Sequence, residues 1–243
     1  MAFSKTWAPT LVDGRAGREG ATEAWSVLRA GAGNVADTGA TTIAMTQQAG
    51  ATTDIWNALR RGFLVFDPTT TPLPAGAVVL GATLSLHCTT VSDAFSASIC
   101  VSKATLAANN NVVAGDYAGT LAGGFTEYAD RVLLSAMTGG VRSTWTLNAA
   151  GIAAVQAAYD ASSPLYLGLL FNSDMDNSAP TWALSTTATA SFASQNNGTA
   201  GNRPQLIITY RVGPGHAVVS LTTTLGSAGD TATCSLFTIE AWT

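Results

Sequence analysis

The alternation of apolar and polar side chains near the middle of the chain constrains its fold more than any other feature. Between residues 82 and 88 every second side chain is apolar, and Thr, Ser and His lie between them. This period of two is typical of a strand with one buried and one solvated face. Residues 63–66 and 206–208 are apolar at every position, are too short for independent helices, and lie beside Pro68 and Pro204. They are typical of interior strands, so the sequence predicts an all-β fold with stacked sheets.

Further segments of the chain also have the composition of strands. Residues 24–29 fit either a helix or a strand, and the glycines that follow them favour a strand. The other predicted strands are residues 41–46, 94–102, a weak one near Tyr117, and 165–171. Residues 54–57 and the polar residues 172–178 are predicted to be loops.

One segment, residues 148–159, predicts an α-helix. Asn148 is a suitable N-cap, and Leu147 and Ile152 have the spacing of a hydrophobic staple. Ile152, Val155 and Tyr159 share one helical face. We expect this helix to close one end or one edge of the sandwich.

Four sequence features in this order resemble the DNRLRE-type domain, a β-sandwich family allied to carbohydrate-binding modules and found in cell-surface, secreted and phage proteins. They are an arginine-led strand ending in Phe-Asp (61–67), a Pro-Ala-Gly turn before a strand (74–76 and 81–86), Trp145 leading to Val155-Gln156, and a closing Phe-Ala-Ser followed by Arg-Pro through Tyr (192–194 and 203–210). The resemblance covers roughly residues 24–211. Where the family usually has Ser-x-Glu, this chain has Ser194-Gln195-Asn196, so no role that needs a carboxylate there is expected.

The resemblance and the strand pattern together imply an antiparallel, jelly-roll-like β-sandwich with one short α-helix and a C-terminal β-hairpin extension. The predicted domains are an N-terminal arm (1–22), the sandwich (23–211) and the hairpin (212–243). The arm has little periodic hydrophobicity, so it is either an extended docking segment or a frayed terminus. A two-stranded hairpin is marginal alone, so we expect it to pack on the sandwich or to pair with another subunit.

The low content of charged residues limits the classes of partner. Charged residues are 11% of the chain, so small neutral polar side chains must cover the outer faces. Such a surface suits packing against other subunits, or it is simply that of a soluble sandwich with Thr-rich outer strands. The net charge is −4 and the basic residues are scattered except for Arg60-Arg61, which argues against nucleic acid as a partner. No run of about 18 apolar residues and no signal sequence is present, so neither membrane insertion nor export is expected.

Three cysteines, Cys88, Cys100 and Cys234, are too few and too widely spaced for a disulfide framework or a zinc site. Free buried thiols are expected, and a bridge between Cys88 and Cys100 across neighbouring strands is the alternative.

Residues that carry chemistry are sparse, and no catalytic residue or cofactor is predicted. His87 and His216 have no carboxylate or cysteine at ligand spacing and are interpreted as surface histidines. Asp174 and Asp176 are weak candidates for calcium ligands in a loop that lacks the turn glycine and the bidentate glutamate. We expect Asp67 and Arg61 to form a structural pair or to cap backbone amides.

Tryptophans offer the other candidate site, since an indole face can stack on the C–H side of a sugar ring. Trp56, Trp145 and Trp182 are candidates, and the loop-like surroundings of Trp56 and Trp182 favour these two for sugar stacking. Packing in the core or at an edge is the alternative role for all three.

These observations favour a non-enzymatic bacteriophage virion structural protein, such as a capsid decoration protein, a head fibre or a tail appendage. Such a protein is made in the host cytoplasm, is located in the virion, and has other virion proteins and further copies of itself as partners, forming a homo-oligomer. The alternative is a carbohydrate-binding or adhesion module of a surface or secreted protein, with host-surface glycans as partners. A third hypothesis is an enzyme such as a polysaccharide lyase or glycosidase, which needs a carboxylate pair, or a tyrosine and a basic residue, converging in a groove.

Overall fold

The computed structural model describes residues 1–213, which form twelve β-strands and four short α-helices. The strands are β1 (Phe3–Trp7), β2 (Pro9–Ala24), β3 (Val35–Asp37), β4 (Thr42–Ala49), β5 (Ile55–Phe66), β6 (Ala77–Ser92), β7 (Ser98–Lys103), β8 (Val132–Leu133), β9 (Arg142–Thr146), β10 (Leu165–Phe171), β11 (Thr187–Ala193) and β12 (Gln205–Val212). The helices are α1 (Trp25–Ala30), α2 (Gly115–Ala122), α3 (Ala149–Asp160) and α4 (Asn172–Met175).

All neighbouring strands pair in the antiparallel sense. One layer contains β1, β12, β6 and β9, and the other is built around β5, which pairs with β2, β4 and β10. The second layer continues from β10 to β7 and β8, and from β4 to β11. Because β6 pairs with β12 over its first half and with β11 over its end, the two layers join into one curled sheet.

Contacts of Trp145 show how the two layers face each other. Its Nε1 donates a hydrogen bond to the carbonyl of Ile99 on β7, at 3.1 Å, and its ring packs edge-on against Phe192 of β11. Trp145 lies on β9 in the other layer, so its side chain crosses the core. The predicted all-β, antiparallel, sandwich-like fold is confirmed.

The N-terminal 22 residues are part of the sheet, and the prediction of an arm outside the core is wrong. β1 pairs with β12, and β2 runs along almost all of β5. Trp7, Val12 and Ala16 are buried in the core. The small residues of β2, whose composition is typical of a loop, allow close packing against the neighbouring backbone. A Cβ on Gly14 would lie 2.2 Å from the carbonyl oxygen of Asp37.

The predicted helix at 148–159 is confirmed as α3, and the side chain of Asn148 accepts a hydrogen bond from the backbone N–H of Gly151 at 3.0 Å. Two strand predictions are wrong. Residues 24–29 lie mostly in α1, which buries Trp25 and Leu28 at helical spacing, and the region near Tyr117 is α2. Residues 172–178, predicted to be a loop, begin with the single-turn helix α4.

Cys88 and Cys100 are buried free thiols, as expected, and the alternative of a bridge between them is wrong. The predicted hairpin lies outside the described residues except for Val212 and Gly213, as do Cys234 and His216. Within residues 1–213, no helix is long and apolar enough to cross a membrane.

Candidate functional site

The most buried charged group is an ion pair between Arg61 and Asp174, whose side chains are both fully buried. Arg61 on β5 donates two hydrogen bonds to the two carboxylate oxygens, at 2.7 and 2.8 Å. Burial disfavours the guanidinium charge, but Asp174 outweighs it and raises the pKa of Arg61 above its ordinary value. The bidentate geometry fixes both side chains.

Groups from α1 and α2 surround this ion pair. Arg61 also donates to the backbone carbonyls of Arg29 and Tyr117, and its guanidinium lies 4.0 Å above the Tyr117 ring. Arg29 contributes a second cation, 3.2 Å from the Asp174 carboxylate. Burial raises the pKa of the Tyr117 hydroxyl, which donates to the carbonyl of Leu28. The cluster ties α1, α2 and α4 to β5 and has a structural role.

This arrangement corrects two predictions from the sequence. Asp174 has no free oxygen to offer a calcium ion, because arginines hold its carboxylate. Arg61 does not pair with Asp67, whose carboxylate instead accepts hydrogen bonds from the backbone N–H and hydroxyl of Thr69, so only the amide-capping alternative holds for Asp67.

The carboxylate of Asp176, the second calcium candidate, is also bound by an arginine. Arg131 donates to both of its carboxylate oxygens, at 2.6 and 2.8 Å, and also pairs with Glu127. The hydrogen bonds from Arg131 lower the pKa of Asp176 below its ordinary value. The residues described contain no group of three potential metal-ligating His, Cys, Asp or Glu side chains.

The tryptophans proposed for sugar stacking do not form an open platform. Trp56 is only 1% exposed and packs between Trp25 and Phe95, at ring distances of 5.1 and 5.5 Å. Trp145 is equally buried. Trp182 is half-buried, and its Nε1 donates to the carbonyl of Ile55 at 3.2 Å. The prediction for Trp56 is therefore wrong, because its two faces are covered by protein.

A polar pocket of about 280 Å³ opens beside this aromatic stack. It lies between β4, the loop before β7, α4 and the loop after α4, and its lining residues are Gln47, Phe95, Ala97, Asn172, Ser173, Asp176, Ser178, Ala179, Pro180 and Thr181. Gln47 is fully buried, and its side-chain Nε2 has no hydrogen-bond partner among the residues described. The other end of this amide, Oε1, accepts a hydrogen bond from the hydroxyl of Ser173.

The walls of the pocket are fixed by local hydrogen bonds. Asp93 accepts from the backbone N–H groups of Phe95 and Ala97, at 3.1 and 3.0 Å, which sets the loop before β7. Asn172 accepts from the N–H of Ser98 at 3.0 Å. The hydrogen bond of Trp182 holds the opposite loop next to Thr181. The pocket is therefore preformed.

A different surface feature lies at the end of the molecule where β1, β12 and the start of β6 meet. Among residues 1–213, no strand pairs with the outer edge of β1. Of the ten exposed large apolar side chains in the described part of the chain, half are found at this end, namely Met1, Phe3, Val78, Leu80 and Val212. An open depression of about 530 Å³ lies between the start of β6 and α3 at the same end.

Asp13 is a buried carboxyl that sequence reasoning missed. It lies on β2, is 1% exposed, and accepts a hydrogen bond from the backbone N–H of Gln195 at 2.6 Å. Its second oxygen has no partner among the residues described, and burial raises its pKa to about 7. The carboxyl group of Asp13, on β2, thus faces residues 194–196. His87 is partly exposed on β6.

The comparisons with known proteins give little. No family model and no curated protein matches this chain. A solved structure titled "Structure of infectious bursal disease virus Gx strain" is similar to it with a TM-score of 0.19 and 10% sequence identity. The match covers 88% of this chain and 61% of that one, so this chain spans less than two thirds of the viral chain. A TM-score this low carries no argument about function.

Proposed function

We propose that this chain is a non-enzymatic structural protein of a bacteriophage virion, such as a capsid decoration protein, a head fibre or a tail appendage, and that it acts through protein–protein assembly. The observation that supports this proposal is the open edge of β1 beside a concentration of exposed apolar side chains. The resemblance to DNRLRE-type domains, which include phage proteins, supports the same class.

The geometry of this end suits a second copy of the chain as partner. Val78 and Leu80 are 40% and 47% exposed and lie two positions apart on β6, so they face the same side of the strand. The backbone of an edge strand offers unpaired N–H and C=O groups to another chain, and adjacent apolar side chains add buried area. The half-buried Lys5 on β1 restricts pairing to a partner that accommodates its charge.

Light scattering on the purified 243-residue chain tests this proposal. We expect a defined oligomer that dissociates when Val78 and Leu80 are both replaced by Asp, since both side chains are exposed and the fold should tolerate the change. The matched control is Leu133→Asp, because Leu133 is 54% exposed on β8, away from β1. A monomeric wild-type chain, or dissociation by the control as well, would contradict assembly through this end.

The virion location needs its own measurement. In immunogold electron microscopy, an antibody against the folded protein should label purified particles of the phage that encodes it. Absence of the label from particles, with the protein present elsewhere in the infected culture, would contradict the virion assignment even if the chain is oligomeric.

A second candidate function, carbohydrate binding or adhesion, is favoured by a different observation. The polar pocket beside Phe95 contains a buried amide whose Nε2 has no partner in the described structure. A buried amide without a partner is costly, and a ligand that supplies one removes that cost.

A further inference from the structure

We propose that the pocket lined by Gln47, Phe95 and Thr181 binds a single ring of a neutral sugar, such as the terminal residue of a glycan. The inference rests on the second proposed function, carbohydrate binding, and is independent of assembly through β1. It differs from the tryptophan platform predicted from the sequence, because the pocket uses an amide and a phenylalanine in place of exposed indoles.

Gln47 is the first reason for a polar ligand at this place. The alternating burial of β4 places Ile43, Met45 and Gln47 on the same inward face. An amide at such a position is expected to have partners for all its polar atoms, yet only Oε1 has one in the described residues. A hydroxyl group both donates and accepts, so it satisfies this amide whichever way its O and N are oriented.

The charges around the pocket favour a neutral ligand over an anion or a metal ion. Asp176 is the one charged residue in the lining, and its carboxylate is paired with Arg131, so the rim offers no unpaired cation to an anionic ligand. A cation finds no open carboxylate, because Arg131 binds both oxygens of Asp176. Asn172, Ser178 and Thr181 add neutral side-chain donors and acceptors to the rim. Several neutral polar groups around a small space are what a ligand rich in hydroxyls requires.

Size and shape restrict the ligand further. The pocket volume of about 280 Å³ lies at the small end of the range for ligand pockets, about 300–1,000 Å³. A pocket of this size suits a small ligand such as one sugar ring. Phe95 and Pro180 provide the apolar part of the wall. The Phe95 ring packs against Trp56 at a centroid distance of 5.5 Å and gives the pocket an aromatic surface suited to the C–H face of a sugar.

Saturation-transfer NMR of the full chain with glucose, galactose, mannose, fucose and N-acetylglucosamine, each added separately, tests the inference. We expect at least one of these sugars to bind, and Gln47→Met to weaken its binding about tenfold, the effect of one buried hydrogen bond. Gln48→Met is the matched control, because Gln48 is the next residue on β4 and does not line the pocket. It should bind the sugar as the wild type does.

A second variant keeps the test decisive if Gln47→Met disturbs folding. Thr181 is exposed at the rim, so Thr181→Trp should fill the opening, leave the thermal unfolding temperature unchanged and abolish binding. If a sugar binds and all three variants bind it equally well, the pocket assignment is overturned while carbohydrate binding stands. If none of the five sugars binds, both are overturned. Binding of a sulfated or phosphorylated sugar in place of the neutral ones would overturn the argument from charge.

Discussion

Replacing Arg61 with Met should destabilise the protein far more than the same change at its neighbour Arg60. Both arginines lie on β5, but their side chains point to opposite sides of the sheet. Arg61 is fully buried with Asp174, whereas Arg60 is partly exposed and pairs with Glu19 on the surface. The two substitutions therefore compare a buried and a surface ion pair within one strand.

The expected magnitude follows from the contacts that each arginine makes. Arg61→Met removes two hydrogen bonds to a buried carboxylate and leaves two backbone carbonyls, those of Arg29 and Tyr117, without this donor. Removing one partner of a buried pair costs about 3–5 kcal/mol. Arg29 still lies 3.2 Å from Asp174, so we expect about 4 kcal/mol and not more. Arg60→Met should cost less than about 1 kcal/mol.

Urea unfolding at pH 7, followed by tryptophan fluorescence, measures these losses as changes in the free energy of unfolding. A native domain is typically stable by about 5–15 kcal/mol, so the Arg61 variant should remain folded in water. The triple variant Arg29→Met/Arg61→Met/Asp174→Leu removes all three charges of the cluster, and we expect it to regain at least about 2 kcal/mol of the loss.

Two results would refute this reasoning. Equal losses for Arg61→Met and Arg60→Met would mean that burial does not amplify the ion pair. A triple variant as unstable as Arg61→Met alone would mean that the buried charges left behind in this cluster are not the source of the loss.

Two further predictions concern the N-terminal strands. The pKa of Asp13 is about 7 in the folded state and 3.8 ordinarily, so between these pH values the folded protein retains a proton that the unfolded chain releases. The contribution of Asp13 to the free energy of unfolding is therefore most favourable at low pH and is lost as the pH rises from about 4 to 7. Relative to Asp13→Asn, the free energy of unfolding of the wild type should fall by roughly 4 kcal/mol between pH 4 and pH 8 in urea titrations. Parallel pH profiles for the two proteins would contradict the raised pKa of Asp13. Trp7→Ala should cost about 3–5 kcal/mol by the same assay, because Trp7 is fully buried and its Nε1 donates to the carbonyl of Thr71 at 3.0 Å; a loss below about 1 kcal/mol would restore the interpretation of this segment as an arm.

The large apolar strands were predictable because their signal is local. Residues 63–66 and 165–171 are apolar on both faces, and both segments are interior strands of the structure. β2 was missed because its buried side chains are small: Gly and Ala carry almost no hydrophobic signal, and their value lies in the close approach of β3 and β5. α1 was missed because the glycines that follow it favour a strand, while the helical spacing of Trp25 and Leu28 is a weak signal in so short a segment.

The chemistry of the charged residues was less predictable, because it depends on contacts distant in sequence. Arg61 precedes a run of buried residues, which indicates that it needs a carboxylate, but its partner Asp174 is 113 residues away. Gln47 could have been identified, since it continues the alternation of Ile43 and Met45 and so falls on the buried face of β4. Neither the loop geometry around Phe95 nor the pairing of Asp176 with Arg131 has a linear signature.

The pairing of β1 with β12 has a consequence for folding during synthesis on the ribosome. Residues 3–7 pair with residues 206–210, so β1 leaves the exit tunnel long before its partner β12 does. At a synthesis rate of about 5–20 residues per second, this interval is roughly 10–40 s. During this time Trp7 and the first half of β6 lack the strand that lies between them. We expect a nascent chain in this state to expose apolar surface to chaperones and to neighbouring nascent chains on the same messenger RNA.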